Sequence, residues 1–266
     1  MDNITLGRYM PLDSIVHRMD PRAKMIILLL VMVAIFIPSG WLGYGILTLV
    51  LSTVVLLSKF SFRYIWKSMR PMLLMMCFLL LINVSIIKTG PVWFMIGTFA
   101  IHQDAVMQTA YIIVRLLLMI MVTTTLTATT KPLDLTMGIE DLLQPFGIIG
   151  CPYHEIAMLI SIALRFIPDL IDETQRIMKA QESRGVDMKE GSFKEKIQAI
   201  LSLIVPLFVS AFQRAEDLAN AMEARGYMPG EPRTRYKVLK MAGPDYLALT
   251  AAVGLLCLLI RLAVIR

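Results

Sequence analysis

Apolar residues gather along this chain in long blocks. Uninterrupted apolar stretches run from Ala23 to Ile37, Trp41 to Leu57, Pro71 to Ile87, about Ala105 to Thr127, and Tyr246 to Ile260. A helix that crosses a bilayer needs about 20 mostly apolar residues, fewer where flanking charged side chains snorkel. The blocks therefore predict five membrane spans, of which the first is marginal in length. Asp20-Pro21, just ahead of that first block, reads as an N-cap followed by proline at the first helical position.

Between the fourth and fifth blocks the pattern changes. Pro132, Pro145 and Pro152 bracket a short helix near Leu133 to Gln144. From Tyr153 the apolar positions are Ile156, Leu159, Ile160, Ala163, Leu164, Ile167, Leu170, Ile171, Ile177 and Met178, the spacing of a one-sided helix. After a break through Gly185 to Gly191, a second such helix runs from about Phe193 to Ala224, with Ile197, Ile200, Leu201, Ile204, Val205, Phe208, Phe212, Leu218 and Met222 on its apolar face. At about 1.5 Å per residue each helix spans roughly 45 Å. Their second halves carry Asp169, Asp172, Glu173, Arg176 and Lys179, and Arg214, Glu216, Asp217 and Glu223. Burying such charges at a bilayer centre costs about 2.5 kcal/mol or more apiece. These two helices are therefore expected at the cytoplasmic face or interface, with their apolar N-terminal halves near the membrane. The predicted fold is an all-α polytopic membrane protein with about five transmembrane helices, one short helix and two long ones. Its segments are 1–130, 131–240 and 241–266.

Composition agrees with the blocks. Apolar residues make up 57% of the 266 positions, above the roughly 45–50% of soluble domains. The formal charge of +6 is unevenly placed: Lys131 to Lys240 holds 14 basic and 15 acidic residues, and the remainder holds 12 and 5. The surplus flanks the spans, which points to a membrane topology and not to nucleic acid. Arg18, Arg22 and Lys24 precede the first block, and Lys59, Arg63, Lys67 and Arg70 separate the second from the third. The positive-inside rule then puts the N-terminus and the long charged segment in the cytoplasm and the C-terminus outside. No cleavable signal peptide is expected, because Met1 to Pro21 is polar and contains three aspartates. Cys77, Cys151 and Cys257 show no metal-like or disulfide spacing and read as packing residues.

Ser183-Arg184-Gly185 returns as Ala224-Arg225-Gly226 forty-one residues later, each time at the end of a long amphipathic pattern. Aligned on the arginines, Ala180 meets Ala221, Glu182 meets Glu223, Ile171 meets Phe212 and Ile177 meets Leu218. Capping alone accounts for a cation in a last helical turn followed by glycine, but it requires neither the matching glutamate nor the matching apolar positions upstream. The duplication reads as one device used twice, two arginines held out in parallel as prongs for carboxylates on another protein.

Several segments resemble the transmembrane T component of energy-coupling factor transporters. Ser14-Ile15-Val16-His17-Arg18-Met19-Asp20-Pro21-Arg22-Ala23-Lys24 is similar to that family's opening stretch. Ala163-Leu164-Arg165-Phe166-Ile167-Pro168 resembles its first long coupling helix, and the two tripeptides match its paired arginine signature, with Ser183 in place of alanine. The resemblance implies a non-catalytic subunit in the bacterial cell membrane. Its partners would be two cytoplasmic ATP-binding-cassette ATPases and one of several membrane-embedded substrate-binding S components, for uptake of a micronutrient, in particular a vitamin. Arg184 and Arg225 would each enter a groove on one ATPase, and ATP would be bound by those partners, so no cofactor is expected here. The unlike flanks, Val186-Asp187 and Tyr227-Met228, suggest two non-identical ATPases. A related branch of the family handles cobalt or nickel.

Other residues leave alternatives open. Twenty methionines are either core or lipid-facing filler, or a surface that repacks against several partners. Arg115, inside the fourth block, is either a functional group or a snorkelling side chain. Asn83 and the hydroxyls of Thr123 to Thr130 read as helix-packing groups. His17, His102 and His154 lack second ligands at helical spacing, so no metal site is expected. Asp169, Asp172 and Glu173, with Glu216 and Asp217, suggest magnesium as in a membrane prenyltransferase, but interleaved Arg176, Lys179 and Arg214 sit at helical ion-pair spacing. A conventional permease subunit with its own pathway is the remaining rival.

Overall fold

A computed structural model describes residues 10–37, 40–59, 62–87, 89–96, 99–145, 152–186, 192–228 and 238–265 of the chain. Among these, the elements in order are α1 (Ile15–Arg18), α2 (Pro21–Phe36), α3 (Gly40–Leu57), α4 (Phe62–Ile86), β1 (Val92–Ile96), β2 (Phe99–His102), α5 (Gln103–Thr129), α6 (Pro132–Leu143), α7 (Tyr153–Ser183), α8 (Phe193–Ala224) and α9 (Gly243–Ile265). The fold is all-α, interrupted by one antiparallel hairpin that pairs Val92 with His102 and Ile96 with Phe99. The apolar blocks did not foretell this hairpin. Its strands are short runs of β-branched and aromatic residues, which suit a pleated surface better than a helix of that length.

Five helices are long and apolar enough to cross a membrane: α3, the Ser68–Ile86 part of α4, α5, α8 and α9. The number matches the expectation, but the membership differs. The expected first span became α2, with only 16 residues. The long helix α8 qualifies instead, because no charged residue falls between Lys196 and Arg214 and its charges collect toward its two ends.

The chain divides into two compact units, one made of Met1–Gly138 with Leu239–Arg266, the other of Ile139–Val238. In the first, α2, α3, α5 and α9 pack around Ile35, Leu47, Val55, Leu118 and Leu259. Leu47 is 1% exposed and Leu259 0%, so truncating either to alanine leaves a cavity, at a typical cost of about 2–5 kcal/mol. Helices in lipid gain little from apolar burial as such and rely on close packing and hydrogen bonds. Thr109, Thr125 and Thr129 return their hydroxyls to carbonyls four residues back within α5, which joins no helices, whereas Asn83 Nδ2 donates to Thr109 Oγ1 at 3.1 Å and does join α4 to α5. Much of α4 faces outward, with Leu74 80% and Phe78 60% exposed, as a lipid-facing helix requires.

Two expectations need amendment. Cys77 and Cys257 are exposed and not packed inside, and Cys151 lies outside the described residues. Arg115 neither snorkels nor stands free. Its Nε and Nη2 donate to the Tyr44 hydroxyl at 3.2 and 3.0 Å, and its guanidinium lies 5.4 Å from the centre of the Phe36 ring. Trp41 stacks on Tyr111 beside it at 4.6 Å. The cation is stabilised by a phenol oxygen and an aromatic face, and it ties α5 to the last residue of α2 and to the N-terminal part of α3.

Candidate functional site at the ends of two paired helices

The second unit presents α7 and α8. Ser192 opens α8 with a reciprocal cap, its hydroxyl accepting from the Glu195 N–H while the Glu195 carboxylate accepts from the Ser192 N–H at 2.8 Å, which satisfies two donors that a helix start leaves unpaired. Both helices close the same way. At the end of α7, the Gly185 N–H donates to Glu182 O and the Val186 N–H to Gln181 O, each at 3.0 Å. At the end of α8, the Gly226 N–H donates to Glu223 O at 2.8 Å and the Tyr227 N–H to Met222 O at 3.0 Å. This double closure needs a residue at positive φ just past the cap, and Gly185 and Gly226 supply it at +85° and +75°.

Arg184 and Arg225 are therefore the C-cap residues, held at the mouth of each closure. Both are exposed, and among the described residues neither guanidinium has a partner. Glu182 and Glu223 are exposed as well, and their structural duty falls on their carbonyls. Ser183 is exposed with its hydroxyl returned to Lys179 O at 2.9 Å, while Ala224 is simply the last residue of α8. Capping thus accounts for the glycines, and the helix dipole favours a cation at each C-terminus, but neither asks that both guanidiniums stand exposed with no partner among the described residues.

The tips are not held out side by side. Gln181 Nε2 donates to Ser202 O at 3.3 Å, and farther along Arg214 meets Asp169 at 3.6 Å and Glu173 at 3.4 Å. As α7 runs backward in sequence α8 runs forward, so the pair is antiparallel. Carrying that register outward at 1.5 Å per residue sets Arg184 and Arg225 about 40 Å apart, at opposite ends of the pair. Identical sequence at two helix ends does not place those ends together, because direction is decided by packing.

Arg214 was not singled out from the sequence, where its acidic neighbours looked like pairs within each helix. Among the described residues of α7 and α8, Arg176–Glu173, at 3.9 Å, is such a pair. The Arg214 contacts cross between helices, and the only signal for them is that Glu173 and Arg214 stand forty-one residues apart, the period of the repeat. Asp169 and Glu173 therefore face a guanidinium, and among the described residues no three His, Cys, Asp or Glu side chains gather as a metal would require. That removes the motivation for a magnesium-dependent prenyltransferase. Arg165 and Pro168 are exposed on α7, with Pro168 inside the helix, where it deletes one backbone hydrogen bond and favours a bend. His154 Nδ1 lies 2.8 Å from Glu140, fastening the start of α7 to α6.

The structure thus defines an all-α chain with helices long and apolar enough to cross a membrane and with an exposed arginine at each of two identically capped helix ends, and its relatives place that arrangement among transporter membrane components. Residues 13–236 match the CbiQ family, described as cobalt transport protein. The chain is 42% identical to the energy-coupling factor transporter transmembrane protein EcfT of Bacillus subtilis over 259 residues, covering 97% of this chain and 98% of that one. It is 43% identical to the protein of the same description from Macrococcus caseolyticus over 262 residues, covering 98% and 99%, and 42% identical to that of Listeria innocua over 265 residues, covering 100% and 96%. The chain belongs to this family of energy-coupling factor transporter transmembrane proteins, as the opening stretch, the coupling-helix segment and the paired arginines led one to expect.

Proposed function

We propose that this protein is the non-catalytic mechanical linkage of its transporter. Arg184 and Arg225 each dock into one of two cytoplasmic ATP-binding-cassette ATPases, and α7 and α8 carry the ATP-driven movement to a membrane-embedded S component that releases its cargo inward. The N-terminus and the two tips lie in the cytoplasm, in keeping with the basic residues that flank the spans. The cargo is a micronutrient. A vitamin is what the resemblance of the opening stretch, the coupling-helix segment and the paired arginines implies, while the description of the CbiQ family names cobalt.

The observation that carries this reading is the pair of exposed, unpartnered guanidiniums at the two capped ends, set about 40 Å apart as far as the register and helical rise allow. One chain thereby reaches two separate docking sites. The unlike residues after the tips, Val186 and Tyr227, favour two non-identical ATPases. Removing one partner of a buried ion pair typically costs about 3–5 kcal/mol. The double variant Arg184→Ala with Arg225→Ala is expected to insert normally, lose both ATPases in pull-down and abolish uptake. Retention of both ATPases at wild-type level refutes the docking role. Two copies of this chain per ATPase pair would favour the conventional permease instead.

A further inference from the structure

We propose that the first unit holds a phospholipid, one acyl chain of which lies in an apolar cavity between α2, α3, α5 and α9. The cavity measures about 790 Å³, inside the roughly 300–1,000 Å³ of small-molecule sites. Its lining belongs to this one unit. Lys24 at the start of α2, Leu57 and Thr129 at the ends of α3 and α5, and Gly243 at the start of α9 all line it. One end of the cavity therefore lies at the level where these helices begin or finish. Along α9 it is lined from Gly243 to Leu258, a run of about 22 Å at the helical rise. That exceeds the roughly 15 Å of hydrocarbon in one leaflet, half of a core of about 30 Å.

Water does not suit this space. Each buried water needs two to four polar partners, and the polar groups of the lining have spent their donors. Lys24 Nζ donates to His17 O at 3.3 Å, Thr129 O at 3.1 Å and Thr130 Oγ1 at 3.3 Å, which uses all three hydrogens of an ammonium. The hydroxyls of Thr125 and Thr129 donate to carbonyls of their own helix. An empty space is no better, because its walls forfeit their contacts and the cost rises with volume. The occupant is therefore hydrocarbon, and the surroundings supply it. The helices α3, α5 and α9 are long and apolar enough to cross a membrane, and Leu57 and Leu247 of the lining are 52% and 72% exposed, so the cavity is continuous with the surface that faces lipid. An acyl chain brings no polar group that the lining would have to satisfy.

The composition of α9 fits the same occupant. Ala248, Ala251 and Gly254 line the cavity. Small residues in membrane helices ordinarily let two backbones approach closely. Here a Cβ added at Gly254 meets no atom within 4 Å, so this glycine, in the middle of a helix it weakens, keeps a space open and brings no helix near. The chain lying there completes the packing between α9 and its neighbours α2 and α3.

The test uses the complete transporter in vesicles of phosphatidylethanolamine and phosphatidylglycerol, doped with a phosphatidylcholine that carries a diazirine midway along one acyl chain. After irradiation, adducts are mapped by mass spectrometry. They are expected on Val31, Leu51 and Ala252, which line the cavity and are only 6%, 6% and 7% exposed, so that bulk lipid on the outer face does not reach them. Ala251→Phe with Gly254→Leu fills the space, and adducts on those three residues should fall about tenfold while adducts on outward-facing Leu49 and Val253 persist. Gly254→Leu alone should give a smaller fall, and it carries the comparison if the double variant does not assemble. Adducts confined to outward-facing residues in the parent overturn the proposal, since they mark annular lipid only. Undiminished adducts on the three buried residues in the filled variant overturn it too, and so do cross-links from these residues to another subunit in place of lipid.

Discussion

Asp245 is 2% exposed, and each of its carboxylate oxygens has a backbone donor. Oδ2 accepts the Ala242 N–H at 2.8 Å, the reach-back contact of a helix start, and Oδ1 accepts the Asp20 N–H at 3.1 Å from the far end of the chain. Asp245→Ala strands the buried Asp20 N–H, while the N–H of exposed Ala242 can pass to water. A stranded buried donor costs about 1–3 kcal/mol, to which the lost charge at the N-terminus of α9 adds about 0.3–1 kcal/mol. For chains of this order of length, 1 kcal/mol moves Tm by about 2–4 °C, so the purified protein in detergent should melt at least about 3 °C lower. Asp245→Asn retains one acceptor oxygen and turns an amide donor toward the other N–H, so it should lose about half as much. The assay is thermal unfolding followed by near-ultraviolet circular dichroism on the two variants and the parent. An alanine variant melting within about 1 °C of the parent, or an asparagine variant as damaged as the alanine one, would show that these two donors do not depend on this carboxylate.

Two further outcomes test the N-terminal segment and the tips. His17 bonds Ser14 Oγ at 2.7 Å and the Met10 carbonyl at 3.1 Å, and burial lowers its pKa below the ordinary 6.5, opposed by the Met10 carbonyl. A lowered folded-state pKa means the unfolded segment takes up the proton first, so the contribution of neutral His17 is full above about pH 6.5 and is lost as pH falls below it. Hydrogen exchange over residues 10–20, corrected for intrinsic rate, should therefore quicken on acidification in the parent and not in His17→Gln; equal acid sensitivity of the two refutes this. Gly185→Ala and Gly226→Ala meet no atom within 4 Å, so their cost is the left-handed backbone alone, about 1–2 kcal/mol each. Pull-down should show weaker ATPase retention than the parent and stronger than the corresponding arginine-to-alanine variants, and an effect equal to the arginine loss would mean that tip geometry, not charge, does the docking.

Elements whose cause is local were readable from residue order. Asp20-Pro21 does open a helix, and the glycine after each arginine does adopt positive φ, because caps are decided within one helical turn. The division between spanning and peripheral helices was harder. Length and composition admit α8, whose stretch between Lys196 and Arg214 carries no charge, as well as the helices expected to span, and α2 falls short of the length of a span. The 92–102 hairpin escaped because it lies between two apolar blocks, Pro71 to Ile87 and Ala105 to Thr127, and its strands of five and four residues are too short to show a clear alternation. Arg115 could not be resolved from sequence at all, since its partners Tyr44 and Phe36 come from other elements.

Residue order alone dictated an all-helical membrane protein with two matched, arginine-ended helices, for apolar blocks and capping residues act over a few neighbours. Only packing settled that those helices run antiparallel, so that the two arginines stand far apart, and that Arg22 meets Leu239 while Asp20 meets Asp245. Such pairings join positions more than two hundred residues apart. They come into being when helices find their neighbours, and no local preference of the chain encodes them.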